Sequence, residues 1–520
     1  MWVYPEIQVL GDIPRYHARE RGDAVALIGG GAQLTYAEVD QRSSRVANAL
    51  LALDLAADAR IGWYGRNYVE LADTLWGAAK AGYAFMPVNW RLAPREVGQL
   101  LADSACAVLF VEDALADAIA EALAFVEHPP QVAVFTPGAA RWLGGFADAA
   151  PDTDPRVAVS ECATALQMYT SGTTGLPKGV ELTHSAFNHM RLIEHLDPGR
   201  VWEADDSYLM FMPNFHMSGV GWLIQNLHNG IRTTILPQYE PGAALAAIRE
   251  TRPTLMLIVP TALQALLDHP DAAHTDFTCL KLLAYAGSQM PLPLIERALT
   301  LMQCGFLNCY GATELLSTCT WLRPEEHDLT NPERLKSVGS AMPLVEIRLL
   351  DPEGQPVPDG EVGEIVVRMP SVFKGYWRNP EATAAVLKDG WYHTGDAATR
   401  DGDGFYYLKD RIKDMIVSGG ENIYSSEVEA ALVRHPAVAE TAVIGVPDAR
   451  WGEAVKALII LAPGESVTAD DLVAHCRLHI AGYKVPKHFA FVTDFPRTPS
   501  GKVQKAVLRR EHGPAAGGSR

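Results

Sequence analysis

Between residues 35 and 111 the chain keeps exchanging one periodicity for another. Residues 35–51 carry apolar side chains at helical spacing, and 61–64 form a short apolar run. Residues 70–81 are helical again, 84–88 apolar, 96–103 helical and 107–111 apolar. Four or five apolar residues without alternation suit a strand buried on both faces, and the helical stretches are long enough to cross back over a sheet. Strand, helix and strand in that order build a parallel sheet covered by crossover helices. The pattern resumes over 207–301, where Tyr208-Leu-Met-Phe-Met212 and the run 255–259 are each stopped by proline. The expected fold class is therefore α/β, with doubly wound subdomains.

At 520 residues the chain is too long for one ordinary core. Gly- and Pro-rich turns between short β runs fill 338–407 and suggest a barrel-like antiparallel region. A boundary is expected near Asp410-Arg-Ile-Lys-Asp414. Beyond it come a helix (426–434), two strands (438–446 and 454–461) and a helix (469–479). That α+β unit of ~100 residues is large enough to fold alone. The expected domains are 1–411 and 412–520.

Lys plus Arg number 44 against 62 Asp plus Glu, a net charge of −18 that argues against nucleic acid as a partner. No apolar run approaches the ~18 residues of a spanning helix, and residues 1–20 lack the pattern of a secretory signal. Seven scattered cysteines without a C-x-x-C pair suit reduced thiols rather than zinc or disulfides. A cytoplasmic location is expected; a homodimer and a peripheral membrane contact stay open.

The run Tyr169-Thr-Ser-Gly-Thr-Thr-Gly-Leu-Pro-Lys-Gly-Val180 packs hydroxyls, glycines and a lysine between two short apolar stretches. Glycine lets backbone approach a ligand closely, and successive N–H groups in such a loop make an anion-binding concavity. Hydroxyl donors and a lysine complete a polyphosphate cradle, with ATP the natural ligand. A plain Ser/Thr/Gly linker is the bland alternative. A Walker-type loop fails on spacing, because Gly175 is followed by Leu176-Pro177-Lys178-Gly179. It also opens a helix, whereas the flanks 165–169 and 180–183 are expected to be strands.

Other motifs are weak singly. Tyr310-Gly-Ala-Thr-Glu314 offers a ring for a purine and a hard carboxylate for Mg²⁺, or an ordinary turn. In Tyr392-His-Thr-Gly-Asp396 the aspartate can accept ribose hydroxyls or merely form an Asx-turn. His216, in Asn214-Phe-His-Met-Ser-Gly219, is a candidate gate or ligand contact set against a satisfied, partly buried histidine. Ser418-Gly-Gly-Glu-Asn-Ile423 is either a tight turn near a ligand or a loop before a helix. Lys502, in Pro496-Arg-Thr-Pro-Ser-Gly-Lys-Val-Gln-Lys505, is a solvated charge unless it neutralises a transferring group.

In this order, over about 36–509, the set resembles the adenylate-forming superfamily of acyl- and aryl-CoA synthetases, adenylation domains and luciferases. The run Lys409-Asp-Arg-Ile-Lys-Asp-Met-Ile-Val-Ser-Gly-Gly-Glu-Asn-Ile-Tyr424 is most similar to fatty acyl-CoA ligases. The resemblance implies a large N-terminal domain of two doubly wound αβα subdomains plus a β-barrel, with a small α+β C-terminal lid. It implies an acyl-adenylate and pyrophosphate made from ATP and a carboxylate, then displacement of AMP by the thiol of CoA. By position, Thr170, Ser171, Gly172, Thr173, Thr174, Gly175 and Lys178 would hold the β- and γ-phosphates. Ala286, Gly287, Ser288, Asn308, Tyr310 and Gly311 would surround adenine, and Thr313 would touch the α-phosphate. Glu314 would hold Mg²⁺, and Asp396 and Arg411 the ribose. Lys502 would bridge carboxylate and α-phosphate, with Lys413 the hinge of the lid. Ser418, Gly419, Gly420 and Glu421 would line the pantetheine tunnel. Two departures stand out: Asp410 precedes Arg411 where glycine is frequent, and Gly311 replaces the tryptophan that closes the pocket of acetyl-type enzymes. With Met217, Val220, Trp222 and Met290 expected near the pocket, Gly311 favours a medium- or long-chain fatty acid. An aryl or other small carboxylate, or a carrier protein as acceptor, is the alternative.

Overall fold

Both stretches of alternating periodicity become mostly parallel sheets. The structure, a computed structural model, describes residues 3–139, 142–170, 177–197, 199, 202–411, 414–418, 421–448, 450–497 and 502–513, with backbone alone at 411, 421 and 422. Two compact units result, Met1–Glu346 with Val367–Tyr392, and Ile347–Val366 with His393–Arg520.

The larger unit holds two sheets. One has seven strands in the order Gly375–Tyr376, Lys178–Thr183, Thr164–Thr170, Ala84–Pro87, Arg60–Tyr64, Cys106–Glu112 and Gln131–Phe135. Arg60–Tyr64 is buried at every position, as the unalternating apolar run demands. Helix Val69–Ala81 is buried all round and therefore lies inside the unit rather than on its surface. Gly77 makes that possible: a Cβ there would stand 2.5 Å from the Val46 side chain of helix Tyr36–Leu51. That partner helix starts in a capping box, Thr35 accepting from the Glu38 amide and Glu38 from the Thr35 amide.

The second sheet has nine strands. Its parallel centre is Gly305–Tyr310, Leu282–Ala286, Leu255–Ile258, Ser207–Met210 and Arg232–Ile235. One edge is completed by Val25–Gly29, parallel to Arg232–Ile235, and its hairpin partner Ala32–Thr35. This N-terminal hairpin was not expected from the sequence, since it pairs with strands two hundred residues away.

In the smaller unit, Gly452–Leu461 pairs with Val438–Asp448 and Ile416–Ser418 antiparallel and with His488–Phe491 parallel. Helices Ser425–Leu432 and Ala469–Arg477 bury Val428, Leu432, Leu472 and Cys476 against Val443, Val455 and Ile459. The expected α+β arrangement is present, with strand 438–446 extended to Asp448. Among the described residues no helix is long and apolar enough to cross a membrane.

Candidate active site

The phosphate loop leaves its hairpin at the register pair Thr170–Lys178, and Lys178 opens a strand rather than a helix. The strand–loop–strand reading therefore holds. Ser171, Gly172, Thr173, Thr174 and Gly175 lie outside the described residues. At the loop's base the Tyr169 hydroxyl donates to Asp103 Oδ2 at 2.5 Å and accepts from Gln167 Nε2 at 3.1 Å. Burial, then the Asp103 carboxylate, raises the phenol's pKa, so it stays a donor.

A residue not expected from the sequence joins the loop to the carboxylate of the Tyr310–Glu314 motif. Lys178 Nζ sits 4.9 Å from the centre of the Tyr376 ring, a cation–π distance. The Tyr376 hydroxyl donates to Glu314 Oε1 at 2.7 Å. Tyr376 reaches this place because its two-residue strand pairs with Lys178–Thr183, Tyr376 lying opposite Val180. Burial and the adjacent Glu314 raise the phenol's pKa. Glu314 is 7% exposed, and its carbonyl accepts from the Phe373 amide at 2.8 Å. A hard carboxylate oriented by one phenol suits a divalent cation that takes its other ligands from phosphates and water.

Ala286 and Cys309 are register partners where two parallel strands end, so Ala286, Gly287, Ser288, Tyr310 and Gly311 share one carboxyl edge. Ligands of open α/β sheets bind outside such edges. Gly287 turns the chain away at φ +90°. Asn308 gives its amide to the Ser337 carbonyl at 3.2 Å, which assigns it to the wall. Half-buried Thr313 opens the turn Thr313–Leu315 that presents Glu314.

Gly311 also has a reason that was not expected from the sequence. A Cβ there would lie 2.4 Å from the Ser317 carbonyl oxygen and 2.6 Å from Thr318 Cα. Close backbone packing in this chain is a second reason for the glycine, beside an open pocket wall. The crossing segment is itself constrained, with Leu316 and Ser317 at φ 55° and 103°. Amides of Ser317 and Cys319 hold it by donating to Ala312 and Tyr310 carbonyls at 3.0 and 2.8 Å.

Beside this segment lies a narrow pocket walled by Phe187, Met217, Trp222 and Trp321. Met217 and Trp222 were expected there, while Val220 and Met290 are buried core away from its lining. Half-buried His216 precedes Met217 and rests edge-on against Phe215 at 4.8 Å. Its loop is locked by Asn214, whose Nδ2 donates to the Gly65 carbonyl at 2.9 Å and Asn67 Oδ1 at 3.0 Å. The same pocket contains Arg191 and Glu194, 5% and 3% exposed, joined Nη2 to Oε1 at 3.0 Å. Burial lowers the Arg191 pKa and Glu194 opposes it.

In the smaller unit Asp396 is the register partner of Arg411, so the two proposed ribose residues share one strand pair. The motif before Asp396 is a positioning device. Glu364 accepts from Gly395 N at 3.1 Å and contacts His393 Nδ1 at 2.9 Å. Thr394 Oγ1 donates to the Ile365 carbonyl at 2.8 Å and accepts from Asp396 N at 3.0 Å. Ser418, buried, pairs with Glu421 in a hairpin. Lys502 is exposed, next to Val503, which bridges Arg497. Lys413, Gly419 and Gly420 lie outside the described residues, and Arg411 and Glu421 are described in backbone only.

Residues 15–377 match the family model "AMP-binding enzyme", and 427–502 match "AMP-binding enzyme C-terminal domain". A feruloyl-CoA synthase from an Amycolatopsis species is 40% identical over 510 residues, 97% of this chain and 99% of that protein. The fatty acid–[acyl-carrier-protein] ligase ScoC of Streptomyces coeruleorubidus is 36% identical over 97% of both. Among solved structures, o-succinylbenzoate CoA synthetase from Bacillus subtilis, in complex with its acyl-adenylate intermediate, superposes with a TM-score of 0.84. It is 29% identical, over 98% of this chain and 99% of that one.

Proposed function

Because the chain belongs to the AMP-binding enzyme family and is an ATP-dependent, AMP-forming carboxylate–CoA ligase, we propose that the acid it activates is an aryl carboxylate. The observation that carries this reading is the pocket beside the Tyr310–Glu314 turn. Three of its walls are aromatic, Phe187, Trp222 and Trp321, and a buried ion pair closes it. The closed cavity is about 10 Å³, so the walls part to admit an acid, and aromatic walls then favour contact with a flat ring. The likeness to a feruloyl-CoA synthase points the same way.

A carboxylate is a poor electrophile, and the adenylate gives it a leaving group. Both half-reactions move negative charge, so fixed positive groups and donors govern the rate. In this proposal Thr170, the 171–175 loop and Lys178 hold the β- and γ-phosphates, and Thr313 the α-phosphate. Adenine lies between 286–288 and Tyr310, with ribose on Asp396 and Arg411. Glu314 would hold Mg²⁺, which when bound neutralises phosphate charge. Lys502 neutralises charge between carboxylate and α-phosphate, and His216 borders the acid. The chain division at 411/412, with Lys413 as hinge and 418–421 toward pantetheine, belongs to the same proposal, as does free CoA as acceptor.

AMP release with CoA, measured across arylpropenoate, benzoate, octanoate and palmitate, tests it. Turnover of an aryl acid at least tenfold above both alkyl acids is expected, with the CoA thioester as product. Preference for palmitate or octanoate would overturn the aryl assignment in favour of a fatty acid. An adenylate that forms without CoA thioester would point to a carrier protein.

A further inference from the structure

Asp410 stands where glycine is frequent in the resembling superfamily, one residue before Arg411. Its Oδ2 accepts from the Ser426 amide at 3.2 Å and from the Ser425 hydroxyl, and the Lys409 carbonyl accepts from the Ser426 hydroxyl. Ser425 is fully buried, and its oxygen in turn accepts from Lys505 Nζ at 2.5 Å. Lys505 also reaches Glu429 Oε1 at 2.7 Å, the oxygen that takes the Val443 amide at 2.7 Å. A glycine at 410 offers no side-chain acceptor, so this connection depends on the aspartate.

Lys505 is tied in turn to the segment that carries Lys502. It lies three residues further on and opens helix Lys505–His512. The turn bearing Lys502 is closed by the bridge Arg497–Val503 and by Gln504, whose amide donates to the Pro496 carbonyl at 2.8 Å and whose Nε2 donates to the Arg497 carbonyl at 2.7 Å. Leu508 anchors the helix in a core with Ala442, Ile444 and Leu458. One turn beyond Lys505, Arg509 Nη2 meets Asp414 Oδ1 at 2.7 Å. Lys505 and Arg509 stand at i and i+4 on one stripe. That stripe grips an acidic residue on each side of 411–413, Asp410 through Ser425 and Asp414 directly. Capping helix Ser425–Leu432 takes only the Ser426 amide on Asp410; the onward contact to Lys505 is no part of a cap.

Resting on the roles proposed above for Arg411 and Lys502, we infer that Asp410 is a positioning residue for adenylation: through Ser425 and Lys505 it holds the strand that carries Arg411 at a fixed separation from the turn that carries Lys502. In that reading Arg411 takes the ribose and Lys502 the α-phosphate end of the same nucleotide, so the separation sets where the lysine's charge falls. Misplacing such a group by about 1 Å costs on the order of 100-fold in rate. Asp410 acts through Lys505 and not on the substrate. It also precedes Lys413 in the chain, whereas Ser425 and Lys505 follow it. Rotation of the lid about Lys413 therefore parts Asp410 from both, and the contact serves the first half-reaction rather than the attack of CoA.

The test measures the two half-reactions apart on the full-length enzyme, pyrophosphate exchange for adenylation and CoA thioester formation from supplied acyl-adenylate for the second step. Asp410→Gly and Lys505→Met should each lower kcat of exchange by about 10- to 100-fold with KM for ATP within about threefold of wild type. Thioester formation should stay within about twofold, and the double variant should be no more than about twofold worse than either single, since both break one connection. Asp410→Asn keeps an acceptor oxygen and should retain exchange within about threefold. Exchange within about twofold of wild type in both single variants, while Lys502→Ala abolishes it, overturns the inference and leaves the role of Lys502 intact. Unchanged exchange in Lys502→Ala overturns that role and the inference with it. Equal losses in both half-reactions that follow a lowered melting temperature also overturn the inference, because Asp410 then only caps a helix. Should Asp410→Gly fail to fold, Lys505→Met, which leaves the Ser426 amide on Asp410, decides by the same two rates.

Discussion

Replacing Tyr376 by phenylalanine removes one oxygen and nothing else, and that oxygen orients the carboxylate of Glu314. The 2.7 Å bond is made to a carboxylate only 7% exposed, so no bulk solvent replaces it. A hydrogen bond to a charged group contributes about 1.5–3 kcal/mol, which as transition-state stabilisation is about 10- to 150-fold in rate. The phenyl ring left by the substitution would still lie under Lys178, which keeps its cation–π contact. Tyr376→Leu loses that too, about a further 0.5–1 kcal/mol. Pyrophosphate exchange at varied Mg²⁺ concentration reads the effect directly. Tyr376→Phe should lower kcat/KM for ATP by about 10- to 150-fold and raise the Mg²⁺ concentration needed for half-maximal rate, with Tyr376→Leu a few-fold worse. The melting temperature should change little for the phenylalanine variant. Exchange within twofold of wild type at every Mg²⁺ concentration would show that Tyr376 is core and that Glu314 needs no help to hold its place.

Three further outcomes are expected. Gly311→Ala forces a Cβ against the 317–318 backbone, which should cost about 1–3 kcal/mol; the melting temperature falls and activity drops on all acids alike. A variant that instead keeps its stability and merely shortens the range of acids would restore Gly311 as a pocket wall. Lys502→Ala should depress adenylation on the order of 100- to 1,000-fold, as for a lost electrostatic stabiliser, and unchanged pyrophosphate exchange would remove Lys502 from the chemistry. Acid should destabilise the fold through His17 and His184, whose pKa values burial pushes down to about 4. His184 Nδ1 accepts from the Leu10 amide at 3.0 Å and must stay unprotonated to do so. Since the folded value lies below the unfolded one near 6.5, the unfolded chain binds more protons between them. Stability is full above about pH 6.5 and declines toward pH 4, by about 2 kcal/mol for each histidine between pH 7 and 5. A urea midpoint that is unchanged or higher at pH 5 would contradict this.

The alternation of apolar runs with helical ones made the sheets legible, because buried parallel strands and crossover helices each leave a local signature. Local signatures also placed Thr170 and Lys178 on either side of a strand-to-strand connection, and the helices and strands that pack together between residues 425 and 477, whereas the smaller unit as a whole also takes in Ile347–Val366 and begins its last stretch at His393 rather than at 412. The hairpin Val25–Thr35 was not legible in the same way. Nothing near it says that Leu27 should lie opposite Thr233, since which sheet edge a strand joins is decided by distant backbone. Gly311 was only half legible for a related reason: the glycine is visible in the sequence, but the 317–318 backbone that packs against it is not.

The site divides along the same line. Motifs carry residues whose proposed roles rest on chemistry peculiar to their type, such as Glu314 and Asp396. Residues that hold those groups in place, Tyr376 on Glu314 and Glu364 beneath Gly395, are ordinary in type and become functional only by contact. Arg191 and Glu194 stand between these cases. Opposite charges three residues apart are usually a solvated surface pair worth little, and sequence alone gives no reason to think otherwise. Yet they share a stripe with Phe187, in a helix whose Met190 and Ile193 are fully buried. An ion pair on the apolar stripe of an otherwise regular helix is thus legible only once the fold closes around it, with Arg191 and Glu194 joined to each other among the described residues that line the pocket. Charges that break a helix's amphipathic pattern are therefore informative about a site only when the fold shows what surrounds them, whereas a motif carries its reading in the residue types themselves.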